Sequence, residues 1–403
     1  MEKINSPQFQ SIINDRTIRL NNLFMAAGFE LRLVGGAVRD SLIGITPKDI
    51  DFATDSTPAE MIDLLVSNDI YVVGVTDRLL KGESLASIAL DDIPGIQHGT
   101  VTAVLNHEPF EITTLRVDVE TDGRHAKTLF VRSFKDDAAR RDLTFNSMSA
   151  SLDGTLFDYF GGKDDLLNGR IRFVGDAERR ICEDYLRILR YFRFAARYNL
   201  DFDAAADEAV RTNVNGLKQI SGERIWLEMN KLLGYKNAST YVQRMNDLGV
   251  VQVIGMPLDM DAFVSAQMNT SDSLSRLASG MKNQDDVMRV VKHWKLSVDE
   301  RKALSFYVAN QNNPNFDLKF AKDLLTDGVD RALAVEVLKI RGLGASANSL
   351  ETWDVPKFPV SGNDLMDRGY KPGKEMGTIL TTMKNRWKDS NFAMTKDDLM
   401  EGV

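Results

Sequence analysis

Apolar residues recur at helical spacing between residues 9 and 28, where Ile12, Ile13, Ile18, Leu20, Leu23, Phe24 and Ala27 form one side and Gly28 supplies the stop. That spacing predicts an amphipathic helix. From 33 to 54 the pattern becomes a strand, a turn at Gly35-Gly36, a short helix, and a second strand. In that strand a period of two puts Asp49 and Asp51 on one face and turns Ile50 towards a core. Thr57-Pro58 reads as a helix start leading into 61–66, and 71–75 as a strand. Residues 78–98 are polar and read as a loop or short helix. Alternation returns at 98–104 and 110–116, two strands around an Asn106 turn, with Glu111, Thr113 and Leu115 on one face. The polar, glycine-broken stretch 116–130 reads as a mobile loop.

Further along, helical periodicity dominates. Tyr185, Ile188, Leu189, Phe192, Ala195 and Ala196 mark a buried helix face. Apolar patches at 238–248, 274–281, 287–294, 299–308 and 330–339 predict further helices, and 311–315 is the clearest loop. The pattern is therefore α+β, a mixed sheet in the N-terminal part followed by an all-α remainder. No repeat or low-complexity tract interrupts it.

Composition narrows the classes. With 403 residues, 43% of them hydrophobic and 27% charged, the chain has the make-up of a soluble protein of two to four domains. A single cysteine, Cys182, excludes an intramolecular disulfide and a cysteine-rich zinc site. The first twenty residues resemble neither a signal nor a transit peptide, and no run is long enough to span a membrane, so a cytoplasmic location is expected. The net charge of −8 disfavours a protein coated in nucleic acid, yet eight arginines between 169 and 197 allow a local basic surface. None of the four histidines forms a His-Asp pair or neighbours a nucleophile motif, so a metal phosphohydrolase domain is not expected and a Ser/His/Asp or Cys/His hydrolase is poorly supported.

Three groups of residues carry candidate chemistry. Gly35 and Gly36 let a ligand approach the backbone and offer N–H groups to phosphate, with Arg39 and Asp40 one turn later. Asp49 and Asp51 can share divalent metal, and Glu111 is either a third carboxylate beside them or a solvated edge-strand glutamate. In the third group, Asp184 and Arg187 are three apart on a helix, either as a surface ion pair or as a reader of bases. A carboxylate only accepts hydrogen bonds and a guanidinium only donates them. Such a pair complements the amino donor and ring-nitrogen acceptor shared by cytosine and adenine, and misfits uracil and guanine.

The ordered series Gly35-Gly36, Arg39-Asp40, Asp49-x-Asp51 resembles the first motif of the class II tRNA nucleotidyltransferase and bacterial poly(A) polymerase family, within the polymerase-β-like superfamily. Arg140-Arg141-Asp142-x-Thr144-x-Asn146 is similar to its second motif, which contacts ribose and triphosphate, and Asp158 with Gly161-Gly162 to the element joining head to neck. Glu183-Asp184-x-x-Arg187 resembles the motif whose side chains template CTP and then ATP, with Arg190 as a neighbour, and 221–228 resembles a fifth motif that braces the neck. For Glu223, Arg224 and Glu228 the resemblance implies a structural role. A stripe of Arg187, Arg190, Arg193 and Arg197 along one helix could reach triphosphate or an RNA 3′ end.

The resemblance implies a head at 1–153, a neck at 154–235, a body at 236–345 and a tRNA-binding tail at 346–403. It implies a CCA-adding enzyme in which Asp49 and Asp51 bind two Mg²⁺, with the tRNA 3′ end, CTP and ATP as partners. Arg116, Asp118, Asp122 and Arg124 would lie on a flexible loop needed for the switch to adding A. A poly(A) polymerase, an A-adding or CC-adding enzyme, and a catalytically silent RNA-binding protein are the alternatives. Oligomeric state is not specified by the sequence.

Overall fold

A computed structural model describes residues 2–121 and 126–401. The chain resolves into two compact units, one of residues Met1–Glu228 with Arg244–Ile254, the other of Met229–Gln243 with Gly255–Val403.

The first unit begins with α1 (Pro7–Gln10) and α2 (Asp15–Ala26), so the single helix predicted for 9–28 is two. The reason is local. Asn14 caps α2 by accepting from the backbone N–H groups of Arg16 and Thr17, which requires extended backbone where a continuous helix would run. Leu20 and Phe24 carry the buried face of α2. Then follow β1 (Leu31–Val34), α3 (Gly36–Leu42), β2 (Asp51–Thr54), α4 (Pro58–Val66), β3 (Tyr71–Val72) and α5 (Thr76–Leu80). Strand β3 is shorter than the predicted 71–75, because Gly74 adopts a positive φ of 80° and turns the chain into α5. Three 3-10 turns cross the unassigned polar stretch before β4 (Thr100–Leu105) and β5 (Glu108–Thr114). Asn106 and His107, at φ 51° and 66°, make the tight turn between these two strands.

The sequence 116–130, read as a loop, is instead a two-stranded antiparallel ribbon, β6 (Arg116–Thr121) and β7 (Ala126–Phe130). Its polar composition hid a period-two pattern. Asp122 and Arg124 lie outside the described residues. The unit continues with α6 (Phe134–Ala139), β8 (Ser149–Ala150), β9 (Leu156–Phe157), α7 (Gly162–Leu167), α8 (Ala177–Glu183), α9 (Leu186–Tyr198), α10 (Ala204–Asn213) and the start of α11 (Gly222–Gly234).

Seven strands form a mixed sheet in the order β3-β4-β5-β2-β1-β8-β9. Strands β2 and β5 run parallel, which sets Asp51 directly opposite Glu111, while β4, β1 and β8 pair antiparallel with their neighbours. Leu33, Phe52, Val101 and Ile112 are fully buried along the sheet. Ile50 precedes β2 and is only half-buried; Phe52 fills the core place expected for it. Leu115 likewise leaves the face of Glu111 and packs with Val34, Ala53 and Phe134.

The second unit contains helices and no strand among its described residues. Helices at Ser273–Ser279, Gln284–Trp294, Val298–Asn310 and Arg331–Ile340 match the predicted patches. Those at Met260–Asn269, Leu318–Thr326 and Gly344–Glu351 were not predicted. Near the end of the chain Val360, Leu365, Met383, Trp387, Leu399 and Met400 bury one another around the helix Lys374–Asp389.

Asp158 ties the end of the sheet to α7 by accepting from the backbone N–H groups of Phe160, Gly162 and Lys163 at 3.3, 2.9 and 2.9 Å. A Cβ on Gly162 would stand 2.2 Å from the Thr144 carbonyl oxygen. Gly162→Ala is therefore expected to destabilise the protein by about 1–3 kcal/mol and push on the Thr144–Asn146 turn. Equilibrium denaturation reads this directly, and an unchanged unfolding midpoint would refute the close packing.

Candidate active site

One cavity of about 690 Å³ opens beside the Asp51–Glu111 register pair. Its wall includes Gly35, Gly36, Arg39, Asp51, Glu111, Arg116, Arg140, Arg141, Asp142, Asn146, Asp184, Arg187, Arg190 and Arg224. Among the described residues seven arginines in the lining face four carboxylates, an excess suited to a polyanion.

At one end Gly35, with φ 59° and ψ −117°, adopts a conformation that side chains resist, and it carries the chain from β1 into α3. Arg141 Nη1 would lie 3.6 Å from a Cβ there, so backbone and guanidinium converge on the same space. Asp51 and Glu111 project from adjacent strands. Burial, then the neighbouring Glu111 and Asp49 carboxylates, raise the pKa of Asp51, against an opposing effect of Arg141. Asp49 lines an adjoining cavity of about 570 Å³ that shares Asp51 and Glu111 with the first.

The carboxylates suit a hard divalent cation. Among the described residues no group of three His, Cys, Asp or Glu side chains is assembled to hold a metal by itself. Crowding of negative charge around Asp51 is the feature such a cation would relieve.

The arginines are held by carboxylates behind them. Asp137, on α6, accepts from Arg140 Nε at 2.9 Å, from Arg141 Nη2 at 3.0 Å and from the Arg116 backbone N–H at 3.3 Å. Burial alone would raise its pKa, but Arg141 and Arg140 outweigh burial and hold it below the usual carboxylate range. Asp142 behaves likewise, with Arg190 Nε at 2.7 Å outweighing its burial. Arg39 donates to Asp40 at 2.8 Å and to Asn146 Oδ1 at 2.5 Å. Asn146 in turn donates to Asp142 at 3.1 Å. Arg116 donates to the His98 carbonyl, and burial with the neighbouring Arg140 lowers its pKa to about 10. Asp118 lies in the β6–β7 ribbon, outside the cavity lining.

Several expectations need correction. Arg140 and Arg141 follow α6, and a 3-10 turn at Thr144–Asn146 comes after them. Asp184 and Arg187 do not share a helix face. Asp184 is extended, at φ −156° and ψ 105°, in the break between α8 and α9. Its Oδ2 accepts from Arg224 Nη2 at 2.7 Å, whereas Arg187 donates to Glu183 at 2.7 Å and to the Arg140 carbonyl at 2.8 Å. Arg193 is buried and paired with Glu228, so it leaves the proposed arginine stripe; Arg197 binds Asp40 at 2.8 Å. Arg224 and Asp137 were missed. Arg224 had been assigned a bracing role yet reaches the cavity, and the signal for Asp137 was its spacing of three and four from the two arginines.

Removing the Asp137 charge leaves the Arg140 and Arg141 guanidiniums with carbonyl partners but without this carboxylate. Asp137→Asn should cost about 3 kcal/mol near neutral pH. Because the folded pKa is depressed, the contribution is present above the ordinary carboxylate pKa and is lost as pH falls through the folded value. Denaturation series should show the gap between the two proteins closing in acid; a pH-independent gap would contradict the charge argument.

Residues 31–82 and 82–172 match the family model described as Poly A polymerase head domain, and 199–256 match that described as Probable RNA and SrmB-binding site of polymerase A. Over 416 residues the chain is 39% identical to CCA tRNA nucleotidyltransferase 1, mitochondrial, of Danio rerio, covering 99% of this chain and 92% of that protein. The Homo sapiens protein of the same name is 40% identical over 419 residues, with coverage of 100% and 92%. A CCA-adding enzyme of Ligilactobacillus salivarius is 31% identical over 401 residues, with coverage of 94% and 93%. Among solved structures, the Bacillus stearothermophilus CCA-adding enzyme in complex with CTP shares the fold at a TM-score of 0.73 and 23% identity, covering 96% of this chain and 94% of that one. The Thermotoga maritima CCA-adding enzyme complexed with tRNA shares it at 0.71 and 19%, with coverage of 100% and 98%.

Proposed function

The chain belongs to the CCA tRNA nucleotidyltransferase family, and from that premise we propose that it adds C, C and A to the tRNA 3′ end from CTP and ATP without a nucleic-acid template. The observation that carries this reading is the meeting, in one cavity, of the Asp51–Glu111 pair, the Gly35-Gly36 turn and the Asp184 and Arg187 side chains. Each supplies a different requirement of nucleotidyl transfer.

Gly35, Gly36 and Arg39, with Arg140, Arg141 and Asn146, would hold the triphosphate and ribose and balance their charge. Asp142 orients Arg190 at the same wall. Asp184 accepts from the exocyclic amine of the base and Arg187 donates to its ring nitrogen, so the side chains stand in for a template. The tRNA 3′-oxygen forms a bond to the α-phosphorus, the bond from that phosphorus to the β-bridging oxygen breaks, and pyrophosphate leaves. Mg²⁺ held by Asp49 and Asp51, with Glu111 beside them, would ease loss of the hydroxyl proton and neutralise phosphate charge. Arg116 anchors the β6–β7 ribbon at the cavity edge, and that ribbon is the segment we assign to the switch from C to A.

We keep the division into head 1–153, neck 154–235, body 236–345 and tail 346–403, with tRNA held by the tail. Among the described residues no helix is long and apolar enough to cross a membrane. We place the protein in the cytoplasm; the vertebrate relatives are named mitochondrial, so cell fractionation is the deciding measurement.

The test is extension of a tRNA transcript ending before CCA, resolved at single-nucleotide length. Three additions that then stop, requiring CTP before ATP, are expected. The family model for residues 31–172 is described by poly(A) polymerase, and a long ladder from ATP alone would establish that activity instead. Chelation of divalent metal should abolish extension, and Asp51→Asn should lower its rate on the order of a thousandfold or more. An Asp51→Asn protein with undiminished rate would remove the carboxylate from the mechanism.

A further inference from the structure

The acceptor and the donor assigned to base reading do not hold each other. Arg187 is fixed by Glu183, by the Arg180 carbonyl at 2.9 Å and by the Arg140 carbonyl at 2.8 Å. Asp184 sits between two helices in extended backbone, and its carbonyl accepts from the Arg187 backbone N–H at 2.9 Å. Among the described residues its side chain is held at two points, the Leu186 backbone N–H at 3.1 Å on Oδ1 and Arg224 Nη2 at 2.7 Å on Oδ2. Arg224 comes from α11, forty residues away, and its own side chain lines the cavity.

We propose that Arg224 is a specificity-determining positioning residue, which fixes the carboxylate plane of Asp184 so that its remaining lone pairs face the nucleobase and accept only from an amino group. This deepens the nucleotidyltransferase reading and rests on it. A carboxylate offers about four lone-pair sites, so the bonds to Leu186 and Arg224 leave capacity for one base. Cytosine and adenine fill it with an amine. Uracil and guanine bring a carbonyl against it, leaving two acceptors opposed and unpaired. Without Arg224 one tether remains, and Asp184 can rotate about its side-chain bonds away from a mismatched carbonyl. The mismatch then costs less, and discrimination falls while triphosphate contacts stay in place.

The experiment compares kcat/KM for CTP, ATP, UTP and GTP on the full chain with wild type, Arg224→Gln, Arg224→Lys, Asp184→Asn and the Asp184→Asn/Arg224→Gln double variant. Arg224→Gln is expected to lower the CTP-to-UTP ratio by at least about tenfold, with partial recovery in Arg224→Lys. Adding Arg224→Gln to Asp184→Asn should lower the ratio no further, because Arg224 acts through Asp184. An equal loss for all four nucleotides, or losses that multiply in the double variant, would overturn the proposal and leave Arg224 a phosphate-binding or bracing residue.

Equilibrium binding of CTP against UTP, by calorimetry on the same proteins, separates this proposal from the wider reading. A wild-type protein that extends no RNA strikes the functional assignment, while the binding ratio still tests Arg224. Should Arg224→Gln fail to fold, the ratio in Arg224→Lys decides, since it keeps the charge and loses the planar fork. Unchanged selectivity in the lysine variant would then refute the role.

Discussion

Seven guanidiniums around one cavity repel each other unless something behind them compensates, and the first unit is arranged around that constraint. Asp40, Asp137, Asp142, Glu183 and Asp184 supply the compensation from well-separated places in the sequence. Each carboxylate pairs with one to three arginines at a defined distance, so cancelling charge also fixes direction. A buried pair of this kind adds little net stability over apolar packing, but losing one partner is costly. The network is thus better understood as a positioning device than as a source of stability.

Helix α9 carries that network from the sheet to the base-reading end. Asp40 on α3 accepts from Arg197 at 2.8 Å and from the Tyr198 hydroxyl at 2.6 Å, fastening the end of α9 beside the glycine turn. Phe194 and Tyr198 stack at 6.3 Å with Phe145 edge-on to both, and Arg39 lies 5.1 Å from each of the two stacked rings. Aromatic faces and acids together hold cationic groups in a protein interior without leaving them uncompensated.

The parts of this design governed by local pattern could be read directly. The Gly35-Gly36 turn, the antiparallel pair around Asn106 and most later helices follow from periodicity and turn chemistry. So do the cavity positions of Arg39, Arg140, Arg141, Asn146, Arg187 and Arg190, once the motifs are recognised. What could not be read depended on partners far along the chain. Arg193 looks like a surface cation until Glu228 is placed against it, and Arg224 looks like a brace until Asp184 is. The break at Asp184 was hidden because its flanks are helical on both sides, and a periodicity argument bridges one extended residue without notice. The β6–β7 ribbon failed for the opposite reason, since polar strands give no apolar signal.

The parallel pairing of β2 with β5 places Asp51 abreast of Glu111, and the residues on either side of Glu111 are the buried Phe110 and Ile112. A slip of one position would swap a carboxylate for a core hydrocarbon and send Glu111 into the apolar interior. A register slip moves side chains by whole residues from one face to the other, so a slip removes the acidic pair outright. Insertions or deletions within these two strands should be all-or-none in their effect, in contrast to the graded losses produced by substitutions among the arginines.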